Sequence, residues 1–285
     1  MGPETVTTYR YVRVSIVAVV MLLFMALVVQ IAADDWDIAP SISAYYYSPV
    51  RSVWVGSLVA AAFLLVAVRG RAGFEEALLN LGGMLLPVVA FIPAPIEAGC
   101  PGGGTCVPPE FIPGVEVSLS ALLLVGVPGL GYGLWTLLAR DRRSRRAPSG
   151  YVGAMAVWAV LALWFGPTAD WAPRASLLDF GHYVASVGVF AIMVVVALIN
   201  ARRTDRSALV RSRAVPYTAI YVVVAVAMGV ILVGALIGWW LTTPDEGALV
   251  FWAEAGLLSM FSLFWAAQTA EYWNLGLPEE ACQPA

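Results

Sequence analysis

The sequence predicts an all-α fold, a polytopic transmembrane bundle of eight spans with both termini cytoplasmic. Three observations predict it. Of the 285 residues, 60% are hydrophobic and 12% charged, where soluble domains carry about 25% charged residues. Apolar runs of about twenty residues recur along the chain, each long enough to cross a ~30 Å hydrocarbon core. The basic residues, all 16 of them arginine, cluster on alternate loops, as the positive-inside rule demands.

Taken in order, the spans are expected at about 12–33, 52–68, 77–96, 115–139, 151–168, 175–199, 215–241 and 248–270, forming one integral membrane domain over 1–285. Arg10 and Arg13 precede the first. Its apolar run exceeds the roughly 7–15 residues of a signal-peptide core, so it is expected to stay as an uncleaved helix. The second is entered through SISAYYYSPVRSVW, residues 41–54. Pro87 and Pro128 fall inside the third and fourth, where prolines bend helices. The fifth is the weakest, because Gly166-Pro167 ends its apolar run early.

Loop arginines decide the count. With eight spans and an inner N-terminus, only Arg51 and Arg174 of the 16 arginines lie outside. Deleting span five would put RDRRSRR and ARRTDRSALVRSR on opposite faces. The expected location is therefore a bacterial cytoplasmic membrane, with both ends inside. Small residues within spans, among them Gly82, Gly83, Gly126, Gly129, Gly131, Gly133, Gly229 and Gly234, are expected to let helices approach closely.

The outer loops have their own character. The first is acidic (Asp34, Asp35, Asp37) and then aromatic. The second carries Cys100 and Cys106 around PGGGT, between Phe-Ile-Pro turns at 91–93 and 111–113. So short a loop can close a disulfide in an oxidising compartment. Cys282 stands alone in the C-terminal tail and receives no role. Several function classes drop out. Without lysine there is no Schiff-base chemistry, and the single histidine excludes bis-histidine haem ligation within the chain. No metal or cofactor is expected. The basic residues form no domain outside short loops, so membrane lipids, and no nucleic acid, are the expected partners.

Ionisable groups inside spans cost roughly 2.5–3.5 kcal/mol near the bilayer centre, so they are the informative outliers. Asp179, His182 and Ser186 have the i, i+3, i+7 spacing of one helical face. Glu254 in Phe-Trp-Ala-Glu lies at a similar depth from the same side, and Arg51 marks the mouth of span two. His182, Asp179 and Glu254 are the candidate catalytic residues, with His182 as acid or base and Asp179 orienting its ring. Ser43, Tyr45, Tyr46, Tyr47 and Arg51 are the candidate binding residues. Three consecutive tyrosines cannot all face lipid, so at least one is expected to point into the bundle. The same groups could instead be buried polar glue, as an Asp–His and an Arg–Glu pair. Ser43 or Ser48 as the nucleophile of a Ser–His–Asp hydrolase is a further possibility.

SISAYYYSPVRSVWVGSL, NLGGMLLPVVAFIP, HYVASVGVFAIM and FWAEAGLLSMFSLFW together resemble a group of bacterial polytopic membrane proteins. Those carry S-I-S-x-Y-Y-Y…R before span two, a histidine early in a later span and W/F-x-E in the last. The resemblance implies a shared pattern but no reaction. A more distant likeness is to the CREST superfamily of membrane hydrolases, which place a serine, an aspartate and several histidines around a metal. Ser43, Asp179 and His182 are the positions that suggest it, and the single histidine departs from that pattern. The functional expectation is a polar site near the extracytoplasmic leaflet that binds or modifies a lipid or small amphiphile. The alternatives are a proton- or ion-coupled transporter or channel component, and a structural partner subunit with no small-molecule site.

Overall fold

Each apolar run forms a helix in a computed structural model, which describes residues 3–68, 73–101, 103–139, 149–165, 171–204, 217–241 and 248–273. Among these residues the α-helices are α1 (Pro3–Ala33), α2 (Arg51–Ala67), α3 (Phe74–Phe91), α4 (Ile112–Ala139), α5 (Ser149–Phe165), α6 (Trp171–Thr204), α7 (Tyr217–Leu241) and α8 (Leu249–Tyr272). A short 3-10 segment, Ser43–Tyr47, precedes α2 and is called the tyrosine turn below. Stretches within α1, α3, α4, α6, α7 and α8 are long and apolar enough to cross a membrane, while the apolar stretches of α2 and α5 are shorter. This is the architecture of a multi-pass membrane protein. Most of the loop arginines and Cys282 lie outside the described residues.

Six helices close a ring. α1 packs on α2, α2 on α3, α3 on α6, α6 on α7, α7 on α8, and α8 returns to α1. α4 and α5 stand outside it, paired with each other and leaning on α3. Burial agrees, since α4 buries only Val115 and Leu119 among its described residues. The ring interior is filled by Ile16, Leu65, Val196, Tyr221, Phe264 and Trp265. A second apolar cluster, including Tyr45, Tyr46, Trp54, Ile92 and Phe251, lies around the tyrosine turn. We call the end of the ring bearing that turn the turn end, and the other the far end.

Glycines do not all serve the close packing expected of them. A Cβ on Gly83 would sit 2.8 Å from the Val66 side chain and 2.9 Å from the Ala62 carbonyl oxygen. α2 and α3 therefore touch backbone to backbone there, which only glycine permits. A Cβ on Gly82 would meet Ile192 at an ordinary 3.7 Å. Gly129, Gly131, Gly229 and Gly234 have nothing within 4 Å of that position, so helix approach does not account for them. Pro87 and Pro128 both lie inside continuous helices.

This contrast is testable. Gly83→Ala should destabilise the protein by about 1–3 kcal/mol, the usual cost of forcing atoms into a full interface. Gly82→Ala should stay close to wild type. Thermal melts in detergent would compare the two, and equal melting temperatures would refute the backbone contact.

Candidate functional site

Local sequence builds the tyrosine turn. The Ser41 hydroxyl accepts the Ala44 N–H at 3.0 Å and opens the turn. The Ser48 hydroxyl accepts the Val50 N–H at 3.3 Å and donates to the Tyr45 carbonyl at 2.8 Å, closing it and starting α2. Serines do this because their short side chains compete well for backbone groups. Pro49 just before α2 needs no backbone donor. The turn's first N–H groups have no carbonyl behind them. Those of Ile42 and Ser43 bond the Glu254 carboxylate of α8, Ser43 N–H donating to Oε2 at 3.1 Å.

The Ser43 hydroxyl contacts two partners at once. Its oxygen lies 2.8 Å from Glu254 Oε1 and 2.9 Å from His182 Nε2. The other imidazole nitrogen, Nδ1, lies 2.7 Å from the Ile92 carbonyl oxygen. That acceptor exists because Pro93 follows it. A residue before proline is pushed out of helical geometry, and Ile92 at φ −101°, ψ 104° ends α3 in extended form. Four elements thus form one line: α8 through Glu254, the turn through Ser43, α6 through His182 and the end of α3 through Ile92.

The line is sealed. His182 is 1% and Ser43 6% exposed. Trp54 stacks on the imidazole at 6.3 Å and 22°, and Tyr183 meets it edge-on at 5.9 Å. The tyrosines brace the turn from three directions. Tyr45 and Tyr46 are buried. Tyr45 accepts the Ala39 N–H at 3.2 Å, Tyr46 accepts from Arg51 at 2.7 Å, and Tyr47 donates to the Ala94 carbonyl at 2.9 Å. Burial, then the neighbouring Tyr46 and Tyr183 phenols, push Tyr47 above the ordinary tyrosine range, so it remains a donor at physiological pH.

Two expected pairings are corrected. Asp179 is exposed and does not orient His182, because Ile92 and Ser43 occupy both ring nitrogens. A three-residue step leaves about 60° between two side chains on a helix, enough at this position to turn Asp179 to the surface. Arg51 does not pair with Glu254. Its guanidinium lies over the Tyr46 ring at 4.3 Å and the Phe111 ring at 5.2 Å, held by cation–π attraction. Ser186 donates to the Tyr183 carbonyl at 3.2 Å and stands apart from the line. Ser48 is spent on the turn.

Comparison with protein-family models, curated proteins and solved structures gives no match. The chain is therefore read from its own geometry. Cys100 and Cys106 are joined by a disulfide with Cα atoms 5.7 Å apart. Cys106 also pairs with Ile96 in an isolated bridge, which ties down residues 92–96 just behind the Ile92 and Ala94 carbonyls. Among the described residues no three histidine, cysteine, aspartate or glutamate side chains converge as metal ligands would.

Sequence reasoning missed the Ile92 carbonyl, the Trp54 stack and the direct Ser43–Glu254 contact. The Phe-Ile-Pro turn was the available signal for the first, since a carbonyl before proline at a helix end needs a donor.

Chemically, the line can hold one proton. The Ile92 carbonyl only accepts, so Nδ1 carries a hydrogen. Ser43 has a single hydrogen to give, yet faces a carboxylate oxygen and an imidazole nitrogen. With Glu254 ionised and His182 neutral, one of those contacts sets lone pair against lone pair. One added proton closes both. It sits on Nε2, giving imidazolium and carboxylate, or on Glu254, giving carboxylic acid and imidazole. The two forms interconvert when two protons shift across Ser43.

Ser43→Ala should strand His182 Nε2 and Glu254 Oε1 and cost about 2–4 kcal/mol, at roughly 1–3 per stranded buried group. Tyr47→Phe, which loses one bond to a backbone carbonyl, should cost about 1 kcal/mol. Denaturation of the detergent-solubilised variants measures both. A neutral Ser43→Ala would contradict the geometry.

Proposed function

We propose that this protein handles protons within the membrane, with Glu254, Ser43 and His182 as the group that takes up and releases one. A single observation carries the reading: the Ser43 hydroxyl lies within hydrogen-bond distance of Glu254 and His182 together, so the chain closes only when it holds a proton. Intramembrane ionisable groups of this kind mark proton relays and coupled transport. In this reading the chain has eight spans and sits in a bacterial cytoplasmic membrane. The arginine-rich loops face inward, and the turn end faces the extracytoplasmic side. The arginine distribution supports that orientation.

A second reading has one observation in its favour. Ser43 Oγ is 2.9 Å from Nε2 of an imidazole whose Nδ1 is anchored, which is how a hydrolytic serine meets its base. The site would then modify a lipid or small amphiphile, as the likeness to membrane hydrolases implied. Two features weigh against it. Glu254 occupies the other side of the hydroxyl, and the Ile42 and Ser43 amides that could stabilise an oxyanion bind that carboxylate.

Infrared spectroscopy during a pH titration separates the readings. The wild type should show the Glu254 carboxyl band and the His182 ring modes changing at one common midpoint, as coupled groups do. Glu254→Gln should remove the band, and Ser43→Ala should split the midpoint in two. Independent midpoints in the wild type would defeat the proton reading. Covalent capture of Ser43 by a fluorophosphonate would establish the hydrolase instead.

A further inference from the structure

α6 and α8 have a register that the site at the turn end does not account for. His182 and Asn200 on α6 lie five helical turns apart, about 27 Å, and Glu254 and Gln268 on α8 lie about four turns apart, about 21 Å. Each helix therefore returns the same face to the ring interior at the far end, and there it meets a second buried polar group.

Six residues from α1, α3, α6, α7 and α8 build that group. Arg13, Glu75, Asn200, Gln268 and Glu271 are each no more than 3% exposed, and Tyr221 is 0% exposed. The Asn200 amide donates to Glu75 Oε1 at 2.9 Å, and the Gln268 amide reaches Asn200 Oδ1 at 3.5 Å. Arg13 donates to the Gln268 carbonyl at 3.2 Å and to Tyr9 at 2.9 Å. The Tyr221 hydroxyl donates to Glu271 Oε2 at 2.6 Å, the length of a hydroxyl-to-carboxylate bond. Two carboxylates here can accept and release protons.

Between the two groups the ring is apolar but not filled. A cavity of about 60 Å³ lies there, lined in part by Ser57, Leu58, Ala61, Leu258 and Phe261. A water needs roughly 10–15 Å³ of such space and a polar partner, and the wall offers it the Ser57 hydroxyl. The buried Ser57 hydroxyl and Trp265 indole N–H lack a protein hydrogen-bond partner, as does Arg13 Nε at the far group. Such groups each cost about 1–3 kcal/mol unless water reaches them.

We propose that the Glu254–Ser43–His182 line, the central cavity and the far polar group form one path that conducts protons across the membrane through the interior of the ring. The inference rests on the reading that the line holds an exchangeable proton. A proton taken up at the turn end passes to water in the cavity and on to Glu271, which Tyr221 holds. The net reaction moves one proton from one side to the other, with no bond made or broken elsewhere.

The test uses the full chain in liposomes containing the pH dye pyranine, with a potassium gradient and valinomycin setting the voltage. Wild-type protein should acidify the interior faster than protein-free liposomes. Ala61→Leu, which fills the cavity, and Glu271→Gln should each slow the flux roughly tenfold or more, the scale of loss for a broken relay. Ser57→Ala, a gentler change, serves if Ala61→Leu fails to fold, and should slow the flux in the same direction. The infrared signature of Glu254 and His182 is read on every sample. Flux within twofold of wild type in the folded variants, with that signature intact, overturns the path and leaves the proton-binding line standing. Wild-type flux no faster than empty liposomes overturns it too. A wild-type signature lacking the common midpoint overturns both readings at once.

Discussion

One hydroxyl group organises the turn end of this molecule. Ser43 has a single hydrogen, and it faces an acid on α8 and a base on α6. Everything nearby keeps those three atoms in line. Serines at 41 and 48 shape the turn, Glu254 holds its first amides, Pro93 frees a carbonyl for the imidazole, and Trp54 covers the ring. A buried polar network of this sort is stabilising only when each member is satisfied. Here that condition depends on a proton count, which links the chemistry of the site to the packing of the helices around it.

The ring geometry extends that logic. Ionisable groups inside a membrane usually face the bundle interior, and His182 and Asn200 on α6, with Glu254 and Gln268 on α8, do so near both ends of the ring. On α6 the five-turn step from His182 to Asn200 restores the same heading after a run long enough to span most of a hydrocarbon core. The apolar layer between the two polar groups insulates one side from the other. Its imperfect filling keeps the insulation thin.

Fold class was legible because it follows from hydropathy alone. The apolar runs coincide with helices, and even α5, the weakest of them, forms. The candidate site was legible in part. His182, Glu254 and Ser43 stood out as polar atoms in an apolar setting, and they meet. Asp179 stood out for the same reason and turns away, because helical spacing cannot tell a seam from a surface about two turns from a helix end. Arg51 drew attention as a cation on the wrong side, and its partners are π-faces, which leave no charge pattern in a sequence. The Ile92 carbonyl is backbone, invisible to any search over side chains. The far polar group was missed because Arg13, Glu75 and Glu271 sit near helix ends, where charges usually reach water. Only the ring closure encloses them.

That closure has a consequence for how the chain is made. α8 leaves the ribosome after α1 to α7, yet it supplies Glu254 to one polar group and Gln268 with Glu271 to the other. Until it arrives, Ser43, Arg13 and Asn200 wait inside an open arc of helices with their α8 contacts unmade. A nascent chain in that state exposes intramembrane polar surface of the kind that is costly in lipid. α8 thus completes both polar groups at once, and without it neither end of the ring interior has its hydrogen bonds closed.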